Sequence, residues 1–180
     1  MKRVSLLRSR LLVSLLLQSL LLLAVAPAFA QVDTVDAPAP PQGDPRVRAV
    51  LDELGYEYEV DADGDYRAVF EFEGERRSQV VYVNSQTATY DSLEIREVWS
   101  PAIESKGPLT PKIANRLLSA SFDAPFGAWQ CLKQANGRIL AVFAVKLGAD
   151  ADAAMIRKAI KAVISHADEM EKELSKKDTY

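Results

Sequence analysis

Apolar positions change their spacing several times along this chain, and each change marks an element. Residues 11–25 form one continuous leucine-rich run. Residues 31–43 lose all periodicity to Pro, Ala and Asp, so no face there can be buried, and a flexible linker over 31–44 is expected. Val47, Val50, Leu51 and Leu54 then recur at i, i+3, i+4 and i+7, which is one face of a helix. Asp44-Pro45 supplies its cap and first turn, and Gly55 its stop.

The period then drops to two. Residues 56–60, 66–73 and 78–83 read as strands, separated by an Asp-rich turn at 61–65 and a turn at Gly74. Tyr66, Ala68, Phe70 and Phe72 share one face, while Arg67, Glu71 and Glu73 share the other. A polar connection over 84–92 leads to a strand over 93–99, and 101–108 reads as a loop. Thr110-Pro111 opens a second helix carrying Ile113, Ala114, Leu117, Leu118 and Ser121. Asn136-Gly137 joins the apolar runs 127–134 and 138–147, the strongest short-range hairpin signal.

The second of those runs is apolar on both faces. Ile139, Ala141, Phe143, Val145 and Leu147 alternate with Leu140, Val142 and Ala144, so it needs cover on two sides. The helices can supply one cover; the other must be a further layer or another molecule. A long last helix over about 152–177 carries Ile156, Ile160, Val163, Ala167, Met170 and Leu174 at alternating spacings of 4 and 3, a heptad-like seam. Together these elements predict an α+β domain over 45–180. It has an antiparallel sheet of about five to six strands with helices on one face, in the order α-β-β-β-(β)-α-β-β-α.

Composition adds an address. Lys2, Arg3, Arg8 and Arg10 precede the apolar run, and Pro27-Ala28-Phe29-Ala30 closes it. That is the layout of a secretory signal peptide over 1–30, cut after Ala30, which implies a periplasmic or secreted protein. An uncleaved membrane anchor is the other reading, since 11–30 has about the length of a membrane span. Cys131 is the one cysteine, so none stands at the cut to take a lipid, and no internal disulfide can form. It can bridge two chains or stay free, and a free cysteine is expected to pack as a small buried hydrophobe. After the cut, 18 basic residues face 25 acidic ones, a net charge of about −7. A domain that acidic is not expected to bind nucleic acid or an anionic membrane.

Catalytic chemistry is sparse. His166 and Cys131 are the single histidine and cysteine, and nothing near either in sequence supplies a third orienting group. His166 and Met170 stand i, i+4 and could face one copper ion, but Met170 belongs to the apolar seam. Asp61, Asp63 and Asp65 depart from a calcium loop, because Gly64 is fourth and Phe72 twelfth; a hairpin turn accounts for them. No glycine-rich phosphate loop is present. No catalytic residue, metal or cofactor is therefore expected. Trp99 and Trp129 at strand ends are the kind of side chain that anchors protein interfaces. With Leu140, Val142 and Ala144 they are the candidate binding residues.

The order of elements, closed by a long helix, resembles the type III secretion chaperone-like fold and, within it, the YbjN-like proteins. The resemblance rests on residues 50–58 (VLDELGYEY) and 65–70 (DYRAVF), with 114–118 (ANRLL) and 127–129 (GAW) matching in style. It implies a homodimeric, non-enzymatic domain that holds another polypeptide. True secretion chaperones are cytosolic, so the export signal points to a different partner. The resulting expectation is an exported protein- or peptide-binding module. The alternative is a small-ligand sensor with a closed pocket lined by Phe70, Phe72 and Trp99.

Overall fold

Helix starts follow their capping residues closely. In the computed structural model, which describes residues 42–175 and 178–180, Asp44 accepts from the Arg46 amide and Thr110 from that of Ile113. Asp152 does the same for Met155, so each helix has one of its orphan N–H groups satisfied locally. The export signal expected over 1–30 and most of the expected linker lie outside the described residues. The elements are α1 (Pro45–Leu54), β1 (Glu59–Val60), β2 (Tyr66–Glu71), β3 (Ser78–Val83), β4 (Ala88–Tyr90), β5 (Leu93–Ser105), α2 (Pro111–Asp123), β6 (Ala128–Lys133), β7 (Ile139–Gly148) and α3 (Ala153–Leu174).

The fold is α+β. Its antiparallel sheet runs β1-β2-β3-β5-β7-β6, with β4 paired to the start of β5, so β6 is an edge strand. One core lies between this sheet and the helices. It joins Val47 and Leu51 of α1, Leu117 of α2 and the α3 seam to Tyr66, Val81, Val98, Phe143 and Val145. Ile156, Ile160, Val163, Ala167 and Met170 are all buried, as their spacing predicts. Each of the larger side chains contributes about 1.5–3 kcal/mol through that burial.

Two strand boundaries differ from the sequence reading. The polar connection contains a short strand, β4, whose three residues are all exposed and so carry no apolar alternation. The expected loop after Trp99 is instead the second half of β5, which crosses Pro101. Proline removes a ladder donor and is tolerated inside sheets at bulges. The register does shift between Pro101 and Ile103. Side chains replace the missing ladder there: Gln79 Nε2 donates to the Pro101 carbonyl (2.6 Å) and to Ser100 Oγ (3.0 Å), and Ser100 Oγ donates to Val80 O (2.6 Å). Both side chains are buried, which makes this repair invisible to a pattern of apolar positions.

Two charge clusters fix the ends. Arg96 is 1 % exposed and binds Asp44 Oδ2 (2.6 Å) and the carbonyls of Asn84 and Ser85, tying α1 to β5 and to the turn after β3. At the far end Arg77 donates to buried Asp168 (2.6 Å) and Glu171 (2.9 Å) of α3. Glu171 also accepts from the Thr179 amide (2.8 Å), which leads Tyr180 toward the sheet.

Arg46 foremost, with Arg96, holds the Asp44 carboxyl well below the usual carboxylate range. An unfolded aspartate titrates near about 4. A lowered folded value stabilises fully above that pH and less as pH falls below it. Asp44→Asn keeps a capping oxygen but not the charge. It is expected to cost roughly 2–4 kcal/mol at pH 7 in urea denaturation. The gap from the parent should narrow as pH drops from about 4 toward 2; a gap independent of pH would contradict this.

Candidate functional site

The sheet ends at β6, and α2 lies over that end. Leu117 faces inward and is buried, whereas Leu118, one position on, is 66 % exposed and Phe122 is 91 % exposed. Adjacent helical residues differ by about 100° in direction, so a helix at the rim of a sheet cannot bury both. Leu118 and Phe122 stand i, i+4 and make a second apolar stripe on the open side. Between this stripe and β6 runs an open groove of about 180 Å³, lined by Leu109, Ala114, Leu117, Leu118, Trp129, Gln130 and Cys131.

Two local devices hold β6 beneath α2. Gly127 turns into the strand at φ 103°, and a Cβ there would lie 2.6 Å from the Ala144 carbonyl and 2.7 Å from Phe143. Only glycine permits that approach at that angle. Ser121 Oγ then accepts from the Trp129 backbone amide (2.8 Å) while donating to Leu117 O (3.0 Å). The Trp129 amide therefore points away from β7. By the alternation of an antiparallel ladder, the amides of Cys131 and Lys133 face the same outer edge. No partner for either is found among the described residues.

Trp129 packs edge-on to Phe143 at 5.4 Å and is 9 % exposed. Its indole N–H has no hydrogen-bond partner among the described residues. A buried donor without an acceptor costs about 1–3 kcal/mol, so the site holds an unmet demand for an acceptor. Cys131 is exposed in the same groove, not buried as expected: it lies on an edge strand, where one flank has no neighbour.

The other sequence candidates lie elsewhere. Leu140, Val142 and Ala144 do form a second apolar face, opposite the helices, with Trp99, Leu132 and Tyr180 packed against them. Val142 is 1 % exposed, so the required second cover comes from within the chain. Trp99 stacks on Tyr82 (centroids 4.2 Å apart) and donates to Asn84 Oδ1 (2.8 Å). Burial pushes the Tyr180 phenol up. Trp129 is thus separated from the other four candidates by the thickness of the sheet.

The closed pocket expected from Phe70, Phe72 and Trp99 is not formed. Phe70 packs edge-on to Tyr56 with the helix-side core, Phe72 lies under Lys172, and Trp99 is on the opposite face. The His166 ring stacks on Phe143 at 4.3 Å, and no hydrogen bond joins it to Cys131 among the described residues. Asp61 Oδ1 accepts from the amides of Asp63 and Asp65 (both 2.9 Å), the local geometry of a capped turn.

Sequence reasoning passed over Leu118 and Phe122 as site residues. Their signal was present: Leu117-Leu118 side by side, with Phe122 four positions on, gives the helix more apolar surface than one sheet face can take.

The chain matches no known family profile and no curated protein. Among solved structures it is similar to the crystal structure of YbjN from E. coli, a proposed transcription regulator, at 14 % identity and a TM-score of 0.44. The match covers 72 % of this chain and 90 % of that one. A score of 0.44 is too low to carry function from one chain to the other.

Phe122→Ser is expected to leave stability within about 0.5 kcal/mol of the parent, because the side chain has little to lose. Gly127→Ala should cost more than about 2 kcal/mol through clash and strain. Urea midpoints measured on both variants check the pair, and equal losses would refute the assignment of the groove.

Proposed function

We propose that this chain is an exported, non-enzymatic module that binds an extended segment of another polypeptide. The supporting observation is the groove between Leu118 of α2 and Cys131 of β6, with exposed Phe122 one turn further along α2 and the outward amides of Cys131 and Lys133 on the open edge. An uncovered sheet edge invites a further strand, and an adjoining apolar groove gives that strand's side chains somewhere to go. Backbone hydrogen bonds supply affinity in this mode and the groove supplies selection.

Export is supported by the basic, apolar and small-residue sequence of the first thirty positions. A non-enzymatic role fits the shortage of reactive groups: the single imidazole is packed against Phe143, and the single thiol sits in an apolar groove. The open sheet face is already occupied by Trp99 and Tyr180, which turns attention from Leu140, Val142 and Ala144 to the α2–β6 edge.

Secretion in a bacterial host followed by intact-mass measurement should return a chain starting at Gln31. Retention of residues 1–30 would favour the anchor reading. Fluorescence anisotropy against a panel of short apolar peptides should find ligands for the parent. Leu118→Glu/Phe122→Glu should weaken them by at least about tenfold, while Val69→Glu at the other side of the sheet leaves them unchanged. Equal binding by both variants, or no ligand at all, would remove the proposal.

A further inference from the structure

Charge is distributed very unevenly along the described chain. Residues 42–105 carry 15 acidic and six basic side chains, while residues 106–138 carry one acidic and five basic. The fold places these two stretches at opposite sides. The acidic stretch supplies α1 and β1 to β5, and the basic stretch supplies α2 and the edge strand β6. A net-cationic stretch of an acidic domain therefore coincides with the open groove; Arg157, Lys158 and Lys161 on α3 form a second exposed basic group.

Two of those five cations are already engaged: Arg116 pairs with Glu173 (2.7 Å) and Arg138 with Glu104. Lys106, Lys112 and Lys133 are exposed and have no ion-pair partner among the described residues. Lys106 and Lys112 flank Leu109, which lines the groove, at three residues on either side. Lys133 follows Cys131 by two on β6 and so shares its side of the sheet. The positive end of the α2 dipole, after Thr110, lies at this same end of the groove.

We infer that the α2–β6 groove takes an acidic, extended segment of a partner polypeptide as an added strand on β6, with apolar side chains against Leu118 and Phe122 and carboxylates toward Lys106, Lys112 and Lys133. The inference rests on the proposed polypeptide-binding role and names the partner's chemistry. A carboxylate-bearing strand satisfies two sets of groups together: the unpaired ammonium groups and the outward amides of Cys131 and Lys133. A second copy of this chain pairing β6 to β6 would bring two such basic rims together and leave their charge uncompensated. The acidic background of the rest of the domain adds discrimination. Acidic segments are repelled by the α1–β5 side, with its 15 acidic and six basic residues, and attracted by this edge.

The test uses the mature chain from Gln31 and three fluorescein-labelled synthetic peptides of equal length. These alternate Leu with Glu, with Ser or with Lys. Fluorescence anisotropy at low salt should rank Glu above Ser above Lys, with at least about tenfold between the ends. The ranking should flatten at high salt, because exposed charges are screened. Lys112→Glu/Lys133→Glu, two exposed substitutions, should invert it. Methylating the backbone amides of the Glu peptide should cost about tenfold or more if the peptide adds as a strand.

Equal binding of all three peptides would sink the acidic selection and leave the groove as a polypeptide site. Binding of none would sink both readings. Sedimentation showing a dimer that cross-links through Cys131 and is not dissociated by the Glu peptide would assign the edge to a second copy and overturn the inference.

Discussion

Strand β7 is buried on both faces, and the rest of the molecule is arranged around that demand. Ala141, Phe143 and Val145 take the α3 seam on one side. Leu140, Val142 and Ala144 take Trp99, Leu132 and Tyr180 on the other. A strand of this kind cannot sit at an edge, because an edge would leave its apolar faces half open. It must have neighbours left and right, and β5 and β6 are those neighbours. The buried Arg77–Asp168–Glu171 cluster serves the same end, since it delivers Tyr180 to the far side of the sheet.

That solution moves the edge outward by one strand and exposes it. β6 is short and carries polar residues at Gln130 and Lys133, so it tolerates an open flank. α2 covers its helix-side face only in part. Ser121 closes the amide of Trp129, and the cover stops there. What remains is a strand edge, an apolar stripe and three lysines at one corner of an otherwise acidic domain. The same geometry that protects β7 creates the groove.

Local signals carried much of this into the sequence. Asp44-Pro45, Thr110-Pro111 and Gly55 act within one turn of their own position, and each does what its chemistry predicts. The α3 seam and the Asn136-Gly137 hairpin were legible for the same reason. The passage of β5 through Pro101 was not. It depends on Gln79, 21 residues before Ser100 and 22 before Pro101, and no short window contains all three. The position of β6 at the edge is also a long-range fact, because strand order is set by pairing rather than by pattern. The apolar second face of β7 was visible in the alternation, but its cover by Tyr180 was not, since that contact spans about forty residues. Of the five candidate residues, Trp129 lines the groove, and Trp99, Leu140, Val142 and Ala144 lie on the far face.

The central claim is that β6 accepts another strand at its outer edge. Amide hydrogen exchange at residue resolution addresses it most directly, with and without a bound glutamate–leucine peptide. The account predicts that the Cys131 and Lys133 amides, fast in the free protein, slow markedly on binding, while Trp129, already held by Ser121, changes little. Binding that leaves the Cys131 and Lys133 amides as fast as before would contradict it.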